Sequence, residues 1–210
     1  MQHKVKVTVL DKKLYPELQE QYCADPRSGP CPCYQVGDTF VFERYGAADD
    51  FWHIGLNTLR QSEGTEPGSP AGGEAPAGGE ATRTAGGPAM PHCSEAWDAI
   101  ARYIYTGLQG GSIMRGWMRD ERVMITCCSD GTRPVIFKIQ RLDYKALYIQ
   151  GIGCDKCQDK IREALTAQKG VTEVAFRDDF TEVFLDQDVP DEVLRAAVED
   201  CGDYTVTKVD

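Results

Sequence analysis

KALYIQGIGCDKCQDKIREALTAQKGV, residues 145–171, carries two hydrophobic periods back to back. Lys145 to Gln150 has the composition of a strand, Gly151 and Gly153 interrupt it, and a helix opens near Cys154 with Cys157, Ile161, Ala164 and Leu165 on one stripe. Gly170 stops that helix. Working towards the C-terminus, Val171 to Phe176 and Thr181 to Leu185 are expected strands on either side of Arg177-Asp178-Asp179-Phe180. A second helix is expected from Pro190 to about Cys201, with acidic Asp191 and Glu192 in its first turn and Val193, Leu194, Ala197 and Val198 facing inward. Tyr204 to Val209 completes the order βαββαβ, which predicts a ferredoxin-like domain.

Cys154-Asp155-Lys156-Cys157 places two thiols at the start of the first of these helices. A helix N-terminus presents unpaired N–H groups and the positive end of the macrodipole, and both favour thiolate over thiol. Two thiolates select Cu(I), Zn(II) or another thiophilic ion over hard, oxygen-seeking cations. C-x-x-C also serves thioredoxin-like redox sites and half zinc sites. The former expects a different fold around the motif, and the latter a second ligand pair; neither is present in this third of the chain.

Gly151-Ile152-Gly153-Cys154-Asp155-Lys156-Cys157, with Gly170-Val171 and Val198-Glu199-Asp200-Cys201-Gly202, resembles the heavy-metal-associated domain of copper chaperones and metal-transporting ATPases over about residues 145–210. The resemblance implies metal binding by Cys154 and Cys157 and handover of the ion by thiolate exchange with a metal-donor or metal-acceptor protein. Ile152 stands where that family usually has Met, an apolar exchange that should still anchor the loop. Asp155-Lys156 replaces the small or polar pair often found between the cysteines. Cys201 stands where the family usually has Ala or another uncharged residue; it is either a third thiolate or a small buried hydrophobe.

Upstream, Lys4 to Leu10 alternates with Val5, Val7 and Val9 on one face, Tyr15 to Tyr22 suggests a short helix, and Gly37-Asp38 leads into a strand at Thr39 to Glu43. A helix is expected from Ser94, with Trp97, Ile100, Ala101, Ile104 and Leu108 at helical spacing and Gly110-Gly111 at its end. Arg122 to Cys128 and Pro134 to Leu142 flank Ser129-Asp130-Gly131-Thr132 as a hairpin. Residues 61–89 hold no Val, Ile, Leu, Met or aromatic side chain and cannot bury enough apolar surface to offset ordering. They are expected to be a disordered Gly/Pro/Ala-rich insertion within an α+β domain of residues 1–143, ahead of the domain at 145–210.

This front region is similar to an uncharacterised family of small prokaryotic proteins. The residues that carry the similarity are Lys4 to Leu10, Gly29-Pro30-Cys31-Pro32, Gly37-Asp38, Trp97-Asp98 and above all Cys127 to Lys138. It implies a shared fold and no activity. His92-Cys93-Ser94-Glu95 replaces the family's usual Phe-Cys-Pro-Trp. Cys31, Cys33, His92, Cys93, Cys127 and Cys128 supply enough soft ligands for a second metal site, although neighbours on a strand face opposite ways, so Cys127 and Cys128 should not share a pocket. Asp130 and Arg133 are expected as a turn and ion pair, and Trp52, Trp97 and Trp117 as core aromatics.

Composition bounds the rest. Nine cysteines, and no secretory pattern at Met1 to Lys6, predict a cytoplasmic protein with reduced thiols. The net charge of −10 argues against nucleic acid as a partner, and no stretch predicts membrane insertion. From Tyr144 onward 8 basic residues face 15 acidic ones, so the tail carries most of that charge. The chain therefore predicts a soluble metal-binding protein, with Cu(I) favoured and Zn(II) the next choice, acting in capture, transfer or sensing and not as an enzyme. The competing expectation is a thiol- or metal-dependent enzyme in the front domain served by the tail. No Ser-His-Asp order, phosphate loop or paired acid/base motif supports it.

Overall fold

Backbone hydrogen bonding and alternating burial, more than helix propensity, organise this chain. A computed structural model describes residues 3–44, 59–61 and 93–210. It is α+β, and it divides into two compact units, Val5–Gln140 and Met1–Lys4 with Arg141–Asp210. The expected insertion at 61–89 and Trp52 lie outside the described residues, except that Gln61 ends a short strand.

In the first unit, β1 (Lys4–Lys12) pairs antiparallel with β2 (Thr39–Arg44), which pairs with β3 (Leu59–Gln61). β4 (Val123–Cys127) forms the expected hairpin with the start of β5 (Val135–Gln150), and β5 lies beside β1, giving the order β3-β2-β1-β5-β4. Register decides what is buried: Val5 opposes Phe42 and Val7 opposes Phe40. These join Val135, Phe137 and Ile139 of β5 in one core. α2 (Ser94–Leu108) lays Ala96, Ile100, Ile104 and Leu108 on it. Ile100, Ile104 and Leu108 are on the expected stripe, whereas Trp97 is half-buried, its ring tilted against Phe42, and Ala101 is only partly covered. Trp117 is 77% exposed, not a core residue, because it lies in the turns that lead into β4 where no repeating face directs it inward. α1 (Pro16–Tyr22) contributes one buried side chain, Gln19.

In the second unit, α3 (Asp155–Thr166) follows β5, β6 (Val171–Phe176) and β7 (Thr181–Leu185) form a hairpin, and α4 (Asp191–Glu199) leads to β8 (Thr205–Val209). β5 pairs antiparallel with β7 on one side and β8 on the other, and β7 pairs with β6, so the order is β6-β7-β5-β8. The two expected strands at 134–142 and 145–150 are one continuous strand, since alternation persists through Arg141, Leu142 and Asp143 and each later residue finds a new partner strand. α3 packs on β6 and α4, and α4 on β8. Ile161, Leu165, Leu194 and Val198 are fully covered and meet Leu147, Val183 and Val206. Val193 points outward, 39% exposed, contrary to expectation, because Leu194 one position later takes the inward direction and the stripe repeats at Val198.

Candidate functional site

α3 begins where the sequence places the C-x-x-C turn. Cys154 is its N-cap in an extended conformation (φ −160°, ψ 161°), and the Cys157 N–H donates to the Cys154 carbonyl at 2.9 Å. The Cα atoms of the two cysteines are 5.2 Å apart and their sulfurs meet in a disulfide. The first helical turn closes residues three apart to within bonding reach. The other seven cysteines are free. Cys154 is exposed and Cys157 half-buried, so the pair opens to solvent on one side.

Two residues hold the loop. Gly151 has φ +96°, and a Cβ there would stand 2.6 Å from the Asp203 carbonyl oxygen, so the chain passes the β8 approach only as glycine. Ile152 packs on the core. Gly153 has open space around it and contributes no such constraint.

Cys201 does not join the pair as a third ligand. Its thiol donates to the Val198 carbonyl at 3.1 Å, it packs on the α3–α4 core, and burial pushes its pKa up while Lys160 opposes that shift. Among the described residues no three Cys, His, Asp or Glu side chains stand where they could hold a metal ion.

The first unit also sorts its cysteines. Cys128 is buried, its sulfur accepting the Val135 N–H at 3.3 Å, while Cys127 is exposed, as neighbours on one strand should be. Neither forms part of a three-donor set. His92 lies outside the described residues. Cys31 and Cys93 pack on the core of this unit, and Cys33 lies close enough to both to feel their charge. Burial pushes the Cys33 pKa up to about 11, and the charges of Cys31 and Cys93 add to the shift. The residue as a whole is exposed.

Three contacts that the sequence did not announce hold the segments that carry these cysteines. Gln19 is a buried amide whose side chain accepts the Gly29 N–H at 3.2 Å and donates to the Gly29 carbonyl at 3.0 Å, pinning the loop before Cys31. The Lys12 ammonium donates to the Tyr34 carbonyl at 2.6 Å, and the Tyr34 ring sits edge-on to Phe40 and Phe137. Cys93 is the N-cap of α2, its carbonyl accepting the Ala96 and Trp97 N–H groups. Asp130 and Arg133 form the expected turn and ion pair at 2.9 Å. Burial works against the Asp130 charge, but hydrogen bonds from Arg133 and Thr132 outweigh it and hold the pKa below the usual range. Arg133 also acts electrostatically on Cys31 and Cys33.

No helix among the described residues is long and apolar enough to cross a membrane. No family model, curated protein or solved structure matches the chain.

Proposed function

We propose that the unit containing Arg141–Asp210, once its disulfide is reduced, binds one thiophilic cation between Cys154 and Cys157, with Cu(I) ahead of Zn(II). The protein would then capture or sense such an ion, or pass it to a metal-donor or metal-acceptor protein. The observation that carries this reading is the convergence of the two sulfurs at the open N-terminus of a 12-residue helix. Reduced, both sulfurs face the unpaired N–H groups of the first turn, which favour the ionised form that a soft ion needs. The strand order β6-β7-β5-β8, with α3 and α4 as the crossing helices, supports a ferredoxin-like arrangement and the resemblance of residues 145–210 to heavy-metal-associated domains. Exposure of Cys154 supports exchange, since an incoming thiolate from a partner could replace one protein sulfur before the other lets go. The tail's excess of acidic residues suits a partner with a basic face.

A second reading rests on the pair being oxidised in this structure. A thiolate attacking the exposed Cys154 sulfur would break the S–S bond and release Cys157 as thiolate. A second external thiol would then free Cys154, so that two external thiols become one disulfide and the protein gains two thiols.

Anaerobic reduction of the whole chain, followed by Cu(I) titration against a colorimetric chelator, separates these readings. The metal reading predicts that Cys154→Ser with Cys157→Ser removes one tightly held equivalent. If the double variant takes up as much copper as the parent, that reading is wrong. Loss of catalysed thiol–disulfide exchange, with copper uptake unchanged, would establish the redox reading instead.

A further inference from the structure

Ile113-Met114-Arg115-Gly116-Trp117-Met118-Arg119, in the turns between α2 and β4, carries two arginines and no acidic residue. The loop is fixed without help from the Trp117 side chain. Ile113 is buried in the core of its unit, and its N–H donates to the Glu121 carbonyl at 2.7 Å, which closes the base of the loop. Gly116 turns the chain at φ +78°, and the Trp117 and Met118 N–H groups both donate to the Met114 carbonyl at 3.4 Å. This backbone delivers the indole to solvent, where it has no ring contact or hydrogen bond among the described residues. Arg115 meets Glu121 at 3.1 Å in an exposed pair of the kind that contributes little in water. Arg119 is exposed and has no ion pair among the described residues. Single apolar side chains on a surface are ordinary, but tryptophan and arginine on an ordered loop are the residue types that dominate protein interfaces.

A surface of opposite character lies at α1. Leu14-Tyr15-Pro16-Glu17-Leu18-Gln19-Glu20-Gln21-Tyr22 holds two carboxylates and no basic residue. Leu14, Tyr15 and Tyr22 are exposed, Tyr22 to 72%. Glu17 and Glu20 are exposed neighbours one turn apart on the helix, and neither has an ion pair among the described residues. This segment is also held in place, since the Tyr15 N–H donates to the Thr132 carbonyl at 2.9 Å and the buried Gln19 amide bonds Gly29 through both its groups. We propose that the Trp117 loop of one copy of this chain docks on α1 of a second copy, the indole on the exposed Tyr15 and Tyr22 and the two arginines against Glu17 and Glu20. Charge selects that occupant. At a net charge of −10 copies of the chain repel one another, so a self-contact has to bring a locally basic face onto an acidic, apolar one, and these two segments match in that way. The same net charge opposes nucleic acid or an anionic bilayer at the loop. Both faces are ordered before they meet, so docking loses little conformational entropy. Because the two faces differ, the contact is heterologous; a two-fold axis repeats it in both directions, or it propagates head to tail.

The test is sedimentation equilibrium of the full chain, kept reduced so that no disulfide joins copies. The parent should show a mean mass that rises with concentration above that of the monomer. Trp117→Ala, which takes nothing from a core, should weaken this association by about tenfold or more. Arg115→Glu with Arg119→Glu, and separately Glu17→Lys with Glu20→Lys, should each stay monomeric, whereas an equimolar mixture of the two should associate, because each loop then faces an α1 of opposite charge. Circular dichroism should show every variant folded, since all five positions are exposed. A parent that stays monomeric at every concentration overturns the proposal and leaves the loop to a different protein. Association that Trp117→Ala leaves unchanged overturns it as well. So does a mixture that fails to associate, which would put the loop on some other surface of the second copy.

Discussion

Cys154 and Cys157 are three residues apart and meet through one helical turn; Cys31, Cys33 and Cys93 belong to two distant segments, a loop held by a buried glutamine and the start of a helix. In the first case a local hydrogen bond from the Cys157 N–H to the Cys154 carbonyl suffices. In the second, the loop that carries Cys31 and Cys33 is held by Gln19, by Lys12 and by the Tyr34 ring. A short-range site should therefore survive weakening of its surroundings, and an assembled one should not.

The largest effect expected from that difference is on the cores. Ile161→Ala or Leu165→Ala removes a fully covered side chain from the α3–α4 core and should cost about 2–5 kcal/mol. Denaturant unfolding of the full chain, followed by hydrogen exchange, should show the loss in residues 141–210 and much less in α2 and β4. Equal loss in both would mean that the two cores do not unfold separately.

Next in size is the loop glycine. Gly151→Ala puts a methyl group against the Asp203 carbonyl at positive φ and should destabilise by about 1–3 kcal/mol. Gly153→Ala meets nothing within 4 Å and should stay within about 0.5 kcal/mol of the parent. Equal melting temperatures for the two variants would contradict the loop geometry.

Gln19→Ala leaves the Gly29 N–H and carbonyl without their partners and should cost about 1–3 kcal/mol. Its more informative consequence is selective: hydrogen exchange in the loop around Gly29 should quicken while copper uptake at Cys154 and Cys157 is unchanged. A Gln19→Glu chain keeps one acceptor for the Gly29 N–H and should recover part of the loss.

The smallest effect is one of pH. With its pKa pushed up to about 11 by burial and by its two neighbours, Cys33 is a neutral thiol at pH 7 and becomes reactive only as pH rises. Alkylation of Cys33, followed by peptide mass mapping, should have its midpoint near pH 11 in the metal-free protein, and Cys93→Ser should move it down. Because the folded value lies above that of a free thiol, about 8.5, the folded state holds this proton more tightly. The stability so gained is complete below that pH and declines as pH rises toward 11. A midpoint at the free-thiol value would show that burial and the two neighbours do not raise it.

How much of this could be read from the residues follows the same division. The tail's element order was legible because each strand and helix carries its own period, and Gly151 and Gly170 mark the turns with positive φ. Errors there were directional: Val193 was assigned inward because a run of apolar residues does not say which one leads the stripe. In the front unit, the Val5-Val7-Val9 alternation and the hairpin around Asp130 were equally plain. Trp117 misled because size and hydrophobicity are weak guides outside a repeating element. Six candidate ligands could be named there, yet spacing could not say that Cys31 and Cys93 would pack on the core, or that Cys128 would be buried and Cys127 exposed. That selection is made by tertiary register, through contacts such as Gln19 to Gly29 that leave no local signature.

X-ray absorption at the copper edge is the most direct test of the claim that Cys154 and Cys157 share one ion. The sample is the full chain carrying Cys33→Ser, reduced and loaded with one equivalent of Cu(I). The account predicts a copper shell of two sulfur neighbours that disappears when Cys154 and Cys157 are also replaced by Ser. A shell dominated by nitrogen or oxygen, or a sulfur shell unchanged by that replacement, would contradict it.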